Sequence, residues 1–331
     1  MTTTPGPDHE APFDMAAVAD DYAALRHGVG AIAAARDVIR MSGPDAVEFL
    51  QGQCSQDVAA LDTAASADAL LLSPQGKLDA LVRVTRAGPE ELYVDVDAGY
   101  GPAVLARLLR FKLRVRVDIE PVDWRIAALR GPGATALVDG GNPPAGVSFV
   151  LRYAWDGVSG VDLMGPDPQV PAAVRRCGPD AWQTLRVEAG IPVMGAELDE
   201  RTIAAEAGLL DRCVSFTKGC YTGQELVARL DARGNKVARR LRALVVEPGQ
   251  GDGVTLRPGA EVSVSDKVVG KVTSVAWSPE RATTIALAYL HRAVEPPCPV
   301  RVEAGGVPAG VAARAFPLPL SAPEEMDNDD A

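Results

Sequence analysis

The amino-acid sequence, 331 residues long, predicts an α+β fold that ends in a small β-barrel. Two observations lead to this prediction. Up to about residue 237, short strands, hairpins and helices alternate irregularly, which is typical of α+β domains rather than of a doubly wound parallel sheet. From Ala238 onward, short apolar runs are separated by turns rich in glycine and proline. No helical pattern interrupts these runs, as expected of a barrel.

For the part of the chain before Trp124, the sequence predicts strands and helices that include one hairpin. A strand is predicted at 37–41, and Pro44 suits the first position of the helix that follows. The turn Ser73-Pro74-Gln75-Gly76 lies between two apolar runs and predicts the hairpin. The other elements predicted in this part are strands at 70–72, 78–84 and 91–96 and a helix at 101–111.

After Trp124 the pattern starts again, which predicts a second lobe. Its predicted elements are strands at 125–129, 147–153 and 160–163 and helices at 132–138, 170–176 and 180–189. The predicted barrel strands are 241–246, 261–264, 267–276, 284–290 and 299–302. We therefore divide the chain into a disordered leader (1–18), a core of two α+β lobes that meet near 120–130 (19–237), the barrel (238–318) and an acidic disordered tail (319–331).

The formal charge of −11 comes mostly from the two ends of the chain, because residues 1–14 carry −3 and the last residues carry −5. The remaining −3 does not indicate direct binding of nucleic acid. No apolar run approaches the roughly 20 residues that span a membrane. The five cysteines include no CxxC pair, so neither a disulfide framework nor a zinc site is indicated. We expect a cytoplasmic protein with reduced thiols.

One short segment holds a cysteine in an unusual setting. Residues 218–225 read KGCYTGQE and place Cys220 between a lysine and the start of a helix. Thr222 and Glu225 have the spacing of a capping box, in which each side chain bonds the other residue's backbone amide. The positive helix end and the Lys218 charge both stabilise an anion, so we expect a reactive thiolate with a lowered pKa. The alternative is a buried, unreactive cysteine.

Two carboxylates are candidates for a binding site. Glu188 lies at the edge of the apolar stripe of the helix at 180–189, in a last turn where a negative charge opposes the helix dipole. Such a residue is either solvated or held in place for a purpose. In the hairpin, the alternation of 78–84 places Asp79 on the face opposite Leu78 and Ala80.

The segment KGCYTGQE resembles the hallmark motif of the YgfZ-type folate-binding proteins, which are relatives of the glycine-cleavage T-protein, an aminomethyltransferase. Residues 41–58, 73–84 and 185–209 also resemble this family, and the resemblance covers about residues 22–318. It implies two interleaved α+β lobes around a folate cleft, followed by the C-terminal β-barrel, in the cloverleaf arrangement of T-protein.

The resemblance also implies tetrahydrofolate as the cofactor. In T-proteins the acidic residue that matches Glu188, within the segment R-x-E-A-G, bonds the pterin ring. Asp79 is expected near the folate as well. Further residues implied in folate binding are Tyr221, Gly223, Gln224 and Glu225, with Cys220 and Lys218 as the reactive groups.

The family implies an accessory protein that assembles, maintains or repairs iron–sulfur clusters in client enzymes, some of which modify tRNA. Its expected partners are folate and iron–sulfur client or assembly proteins. One alternative is a folate-dependent aminomethyltransferase. However, T-proteins carry two adjacent aspartates where this chain has Asp79 and Ala80, and they lack the cysteine. A second alternative is a thiol redox or sulfur-handling protein without folate.

Overall fold

The computed structural model describes residues 15–138, 143–249, 255–305 and 307–320. The α-helices in these residues are α1 (Met15–His27), α2 (Ala46–Gln53), α3 (Gly101–Phe111), α4 (Pro179–Ala189), α5 (Leu210–Cys213) and α6 (Gln224–Asp231). Single 3₁₀ turns lie at Thr135–Leu137 and Ala204–Glu206. Within the described part of the chain, no helix is both long and apolar enough to cross a membrane.

The strands before the barrel form two five-stranded sheets. They are β1 (Gly30–Ala34), β2 (Arg36–Ser42), β3 (Ser66–Leu72), β4 (Leu78–Gly88), β5 (Glu91–Asp97), β6 (Asp118–Val122), β7 (Arg125–Arg130), β8 (Phe149–Trp155), β9 (Val158–Gly165) and β10 (Arg175–Arg176). The first sheet has the order β3-β4-β5-β2-β6 and the second the order β10-β1-β7-β9-β8. In β4, Leu78 and Ala80 are buried and Asp79 is exposed, which confirms the predicted alternation.

The two lobes are interleaved. Strand β1 lies between β10 and β7 in the second sheet, although all five strands of the first sheet come between β1 and β7 in the sequence. The chain therefore starts in the second lobe, builds the first lobe and then returns. This arrangement confirms the predicted α+β fold with interleaved lobes.

Buried ion pairs join the two sheets. Arg83 on β4 contacts Asp95 on β5, with 3.0 Å between Nε and Oδ2, and also Asp162 on β9 of the second sheet. Asp162 bonds Arg130 on β7 as well, at 2.7 Å. Burial by itself raises the pKa of Asp162, but Arg130 and Arg83 outweigh that effect and lower the pKa to about 2. Asp162 is therefore ionised and holds the two lobes together.

The last quarter of the described chain is a closed barrel. Its strands are β11 (Arg239–Val246), β12 (Glu261–Val264), β13 (Lys267–Ser278), β14 (Thr283–His291), β15 (Cys298–Ala304) and β16 (Val307–Phe316). Their order is β11-β14-β13-β12-β15-β16, and β11 pairs with β16 to close the ring. Apolar side chains such as Leu244, Val262 and Val302 fill the interior. The predicted barrel is confirmed.

Two predicted helices are wrong. Residues 132–138 form only the single 3₁₀ turn at Thr135–Leu137. Residues 170–176 form no helix, because their end pairs in parallel with β1 as β10 and Val174 is buried against the second sheet. Pairing with the free edge of β1 replaces the local hydrogen bonds of a helix.

The predicted leader and tail are both too long. Helix α1 begins at Met15, and its Val18, Tyr22 and Leu25 are buried, so residues 15–18 of the predicted leader are ordered. At the other end Leu320 is buried and donates its backbone N–H to the carbonyl oxygen of Glu188 at 2.8 Å. At both ends, the chain is ordered further than predicted because apolar side chains pack against α4 or next to it. Residues 1–14 and 321–331 lie outside the described residues.

Candidate functional site

Lys218 lies against the C-terminal end of α2. Its ammonium donates hydrogen bonds to the backbone carbonyls of Gln51, Cys54 and Gln56 at 2.6, 2.8 and 3.0 Å. The last carbonyls of a helix lack partners within the helix, and a cation is favourable at that end. Burial lowers the pKa of Lys218. Because an ammonium has three N–H donors, none is left for the sulfur of Cys220. The Lys218 ammonium is therefore committed to these three carbonyls rather than to a hydrogen bond with the thiol.

Other groups complete the capping of α2 and bring Asp79 to the same place. The backbone N–H of Thr222 donates to the carbonyl of Gly52 at 3.2 Å. Arg107 on α3 donates to the carbonyls of Gln53 and Leu72 and, at 2.8 Å, to the carboxylate of Asp79. The structure thus places Asp79 and segment 218–225 around the end of α2. Asp79 is held there in an ion pair.

The turn of the hairpin and the start of α6 touch through two glycines. Gly76 has φ +77° and Gly223 has φ +83°. A Cβ atom at Gly223 would lie 2.5 Å from the carbonyl oxygen of Ser73, and one at Gly76 would lie 2.4 Å from the Cβ of Leu226. Both positions therefore require glycine, for backbone conformation and for space. This contact locks the two segments that carry the resemblance against each other.

The predicted capping box of α6 is wrong. Helix α6 begins at Gln224, and the residue before it is Gly223 in the left-handed conformation, with no side-chain cap. Because contact with the hairpin fixes Gly223, Thr222 is not at the capping position. Instead, the Gln224 side chain accepts a hydrogen bond from the N–H of Tyr221 at 3.2 Å. Glu225 lies exposed in the first turn of the helix.

Cys220 is the one cysteine of the five that is exposed. Cys54 and Cys213 are buried, and Cys177 and Cys298 are half-buried. Burial raises the pKa of Cys54 and of Cys177 to about 11. Next to Cys220, the ring of Tyr221 lies 5.1 Å from the Lys218 ammonium, and burial raises the pKa of its hydroxyl to about 12. The alternative of a buried cysteine at position 220 is wrong.

Glu188 occupies a different place, between α1, α4 and the barrel. Its carboxylate accepts hydrogen bonds from the Tyr22 hydroxyl and from the Ser278 hydroxyl, each at 2.6 Å. The residue is 6% exposed, and burial raises the pKa of its carboxyl group. Among the described residues, no cation forms an ion pair with it. The hydroxyl bonds and the charge of Arg26 favour the ionised form but do not outweigh burial, and a buried carboxylate without an ion pair is energetically costly.

These contacts leave acceptor positions of the Glu188 carboxylate unused. A carboxylate has about four acceptor positions, and Tyr22 and Ser278 occupy two of them. The remaining acceptors suit a pair of N–H donors, which is what a pterin ring presents. The hydrogen-bond partners of Glu188 are not shared with those of Asp79 or Lys218. The structure therefore holds the predicted site residues through two separate sets of partners.

Sequence analysis missed the residues that hold this arrangement: Tyr22, Arg107 and Ser278. Tyr22 belongs to an apolar stripe with Val18 and Leu25, which is a sequence signal for a packed helix. Arg107 and Ser278 carry no such signal, because their partners are distant in sequence. In the part of the chain that is described, no cluster of three or more His, Cys, Asp or Glu residues could hold a metal ion.

Comparison with known proteins agrees with this architecture. Residues 239–320 match the glycine cleavage T-protein C-terminal barrel domain. An aminomethyltransferase of Rubrobacter xylanophilus is 29% identical, with 94% of this chain and 88% of the relative aligned. One from Thermus thermophilus is 28% identical, with 93% and 92% aligned. An uncharacterized protein of Haemophilus influenzae is 26% identical over 60% of this chain and 66% of its own length.

Among solved structures, the glycine cleavage system aminomethyltransferase T of Bartonella henselae has a TM-score of 0.77 at 22% identity. The match covers 92% of this chain and 90% of that one. The chain therefore has an aminomethyltransferase-like fold. More particularly, its C-terminal part is a barrel domain of the glycine-cleavage T-protein type.

Proposed function

We propose that this protein binds tetrahydrofolate and that Glu188 contacts the pterin ring. The support is the state of the Glu188 carboxylate, which is buried without an ion pair and keeps free acceptor positions. An ionised carboxylate at this position can accept hydrogen bonds from both the amino and the ring N–H donors of a pterin. Bound tetrahydrofolate supplies a carrier for one-carbon units on its ring nitrogens. The chain's own part is to hold the ring and orient it.

We further propose that the protein is a YgfZ-type accessory factor for the assembly, maintenance or repair of iron–sulfur clusters in client enzymes. The observation that carries this proposal is the exposed thiol of Cys220, which lies on a segment anchored to α2 through Lys218 and to the hairpin through Gly223. An exposed thiol on a fixed support is accessible to a client protein. The partners of this protein would be client or assembly proteins of the cytoplasm. Some of these clients would be tRNA-modifying enzymes, so tRNA modification would depend on the protein indirectly.

A folate-dependent aminomethyltransferase is the second candidate, and the aminomethyltransferases that align with more than nine-tenths of this chain favour it. The hairpin speaks against it. Its carboxylate Asp79 is paired with Arg107, and the next residue, Ala80, is 1% exposed and has no acidic group. The hairpin therefore offers no free carboxylate for proton transfer near a folate nitrogen.

Calorimetry with tetrahydrofolate tests the proposal. Wild-type protein should bind with a saturable heat, and Glu188→Gln should weaken the affinity about tenfold or more, because a charge-assisted hydrogen bond contributes about 1.5–3 kcal/mol. Glu247→Gln, at an exposed position of the barrel, is the control and should bind like the wild type. An assay with an aminomethylated carrier protein separates the two folate-based candidates, since only the transferase releases ammonia. Absence of saturable binding would leave the thiol-handling alternative.

A further inference from the structure

A cavity of about 180 Å³ lies where five parts of the chain meet. Its wall includes Trp155 at the end of β8, Gly190 at the end of α4, the segment 205–208, the start of β11 and the segment 317–319. None of the residues proposed to contact folate or a client protein lines it. Sites for drug-sized ligands measure about 300–1,000 Å³, so this cavity suits a smaller molecule than tetrahydrofolate.

Two arginines of β11 face this cavity. Arg240 and Arg242 are two residues apart on a strand, so they lie on the same face, with about 7 Å between their Cα atoms. Both are half-buried. Arg240 donates to the carbonyl of Asn235 at 2.7 Å, and Arg242 donates to the carbonyl of Leu241 at 3.2 Å. Neither forms an ion pair with a carboxylate of the described residues, although each guanidinium has five N–H donors.

The preceding residue on β11, Arg239, is by contrast an arginine whose charge is paired. Arg239 bonds the carboxylate of Glu206 at 3.0 Å and stacks on the ring of Tyr289, 4.4 Å from its centroid. Glu206 also lines the cavity, but its charge is met by Arg239. The other acidic residue of the wall, Asp156, is exposed at the rim. The positive charges of Arg240 and Arg242 therefore remain uncompensated inside.

We propose that this cavity binds a small oxyanion, either phosphate or the carboxylate of a small metabolite, between the guanidinium groups of Arg240 and Arg242. Planar guanidinium forks match the oxygens of phosphate and carboxylate and bind them through paired hydrogen bonds. Burial and, second, the charge of Arg240 lower the pKa of Arg242. An anion between the two side chains offsets both effects, because its negative charge favours the charged form of each arginine. The site is separate from the folate site proposed at Glu188.

Calorimetric titration of the full chain with inorganic phosphate and, separately, with succinate tests the proposal, with chloride holding the ionic strength constant. At least one anion should give a saturable heat, and the preferred anion identifies the ligand class. Arg242→Met should raise the Kd tenfold or more. Arg242→Lys should have a Kd between those of the wild type and Arg242→Met, because lysine keeps the positive charge but lacks the planar guanidinium that forms paired hydrogen bonds. Arg257→Met removes an exposed arginine of the barrel and should leave the Kd unchanged. Glu188→Gln should also retain anion binding.

Thermal unfolding separates binding from a structural role. In chloride alone, Arg242→Met should melt no lower than Arg257→Met, because it removes a charge that has no partner carboxylate. Phosphate or succinate should raise the melting temperature of the wild type and of Arg257→Met but not of Arg242→Met. The proposal is overturned if neither anion gives a saturable heat at millimolar concentration. Equal affinities of the wild type and Arg242→Met would overturn it too.

Discussion

At the end of α2, exposed and half-buried side chains of opposite charge meet, whereas at the junction of α1, α4 and the barrel a carboxylate is buried among hydroxyls. Lys218 and Arg107 satisfy helix carbonyls and Asp79. Glu188 has only Tyr22 and Ser278. The difference teaches that one resemblance can cover residues with different tasks. The charges of the first region hold segment 218–225 in place. In the second region, the Glu188 carboxylate keeps hydrogen-bond acceptor positions that no described residue uses.

The largest expected effect is in the first region. Lys218→Met removes three hydrogen bonds and leaves helix carbonyls without a partner, so we expect the free energy of unfolding to fall by about 2–4 kcal/mol. Urea denaturation measures the change. Lys236→Met, at an exposed position, is the control and should change it by less than about 0.5 kcal/mol. Equal stabilities of the two variants would show that Lys218 does not anchor the segment.

A smaller loss is expected where the two glycines meet. Gly223→Ala introduces a Cβ atom 2.5 Å from the Ser73 carbonyl oxygen at a residue with φ +83°, so it should destabilise the protein by about 1–3 kcal/mol. Gly219→Ala is the matched control in the same segment, because a Cβ atom there meets nothing within 4 Å. If both alanine variants unfold at the same urea concentration, the contact between hairpin and α6 is unimportant.

In the second region, around Glu188, we expect the stability of the protein to depend on pH. Burial raises the folded-state pKa of Glu188, so ionising it costs stability as pH rises through that pKa. A folded-state pKa that lies one pH unit above the unfolded-state pKa corresponds to a cost of about 1.4 kcal/mol. Below the ordinary glutamate pKa the residue is protonated in both states and the cost vanishes. Glu188→Gln should therefore gain stability relative to the wild type between pH 4 and pH 8. A difference in stability, measured by urea denaturation, that stays constant over this range would contradict the prediction.

The smallest effect on stability is expected at Cys220. Because the side chain is exposed, Cys220→Ala should change the free energy of unfolding by less than about 0.5 kcal/mol. In contrast, it should abolish rescue of cluster-dependent enzymes in a deletion strain. In the wild type, alkylation at pH 7 followed by mass spectrometry should find Cys220 modified before the four shielded cysteines. Full rescue by the alanine variant would remove the thiol from the proposed function.

The fold was predictable because its signals are local. The hairpin around Gly76, the alternation that exposes Asp79 and the helix-free C-terminal part can all be seen in short windows of sequence. Predictions from such short windows were wrong where a segment distant in sequence supplies the hydrogen-bond partners. Residues 170–176 have a helical pattern, yet their last two residues pair with β1, which lies some 145 residues earlier in the chain.

The site was predictable only in part. Thr222 and Glu225 have the right spacing for a capping box, but the hairpin fixes Gly223 between them and moves the start of the helix. The role of Lys218 depends on carbonyls of α2, more than 160 residues away. No local pattern contains that partner. The position of Glu188 at a helix edge left open a solvated residue or one held for a purpose, and its burial without an ion pair among the described residues was visible only in three dimensions.

The interleaving of the lobes has a consequence for synthesis on the ribosome. All strands of the first sheet lie in one continuous stretch, from Arg36 to Val122, so this sheet can form as soon as that stretch has emerged. Strand β1 emerges earlier but must wait for β7 and β9 before it has a complete sheet to join. A nascent chain that stops between β6 and β7 should therefore carry a folded first lobe and an unpaired β1. During that interval β1 is an exposed edge that invites pairing with neighbouring chains.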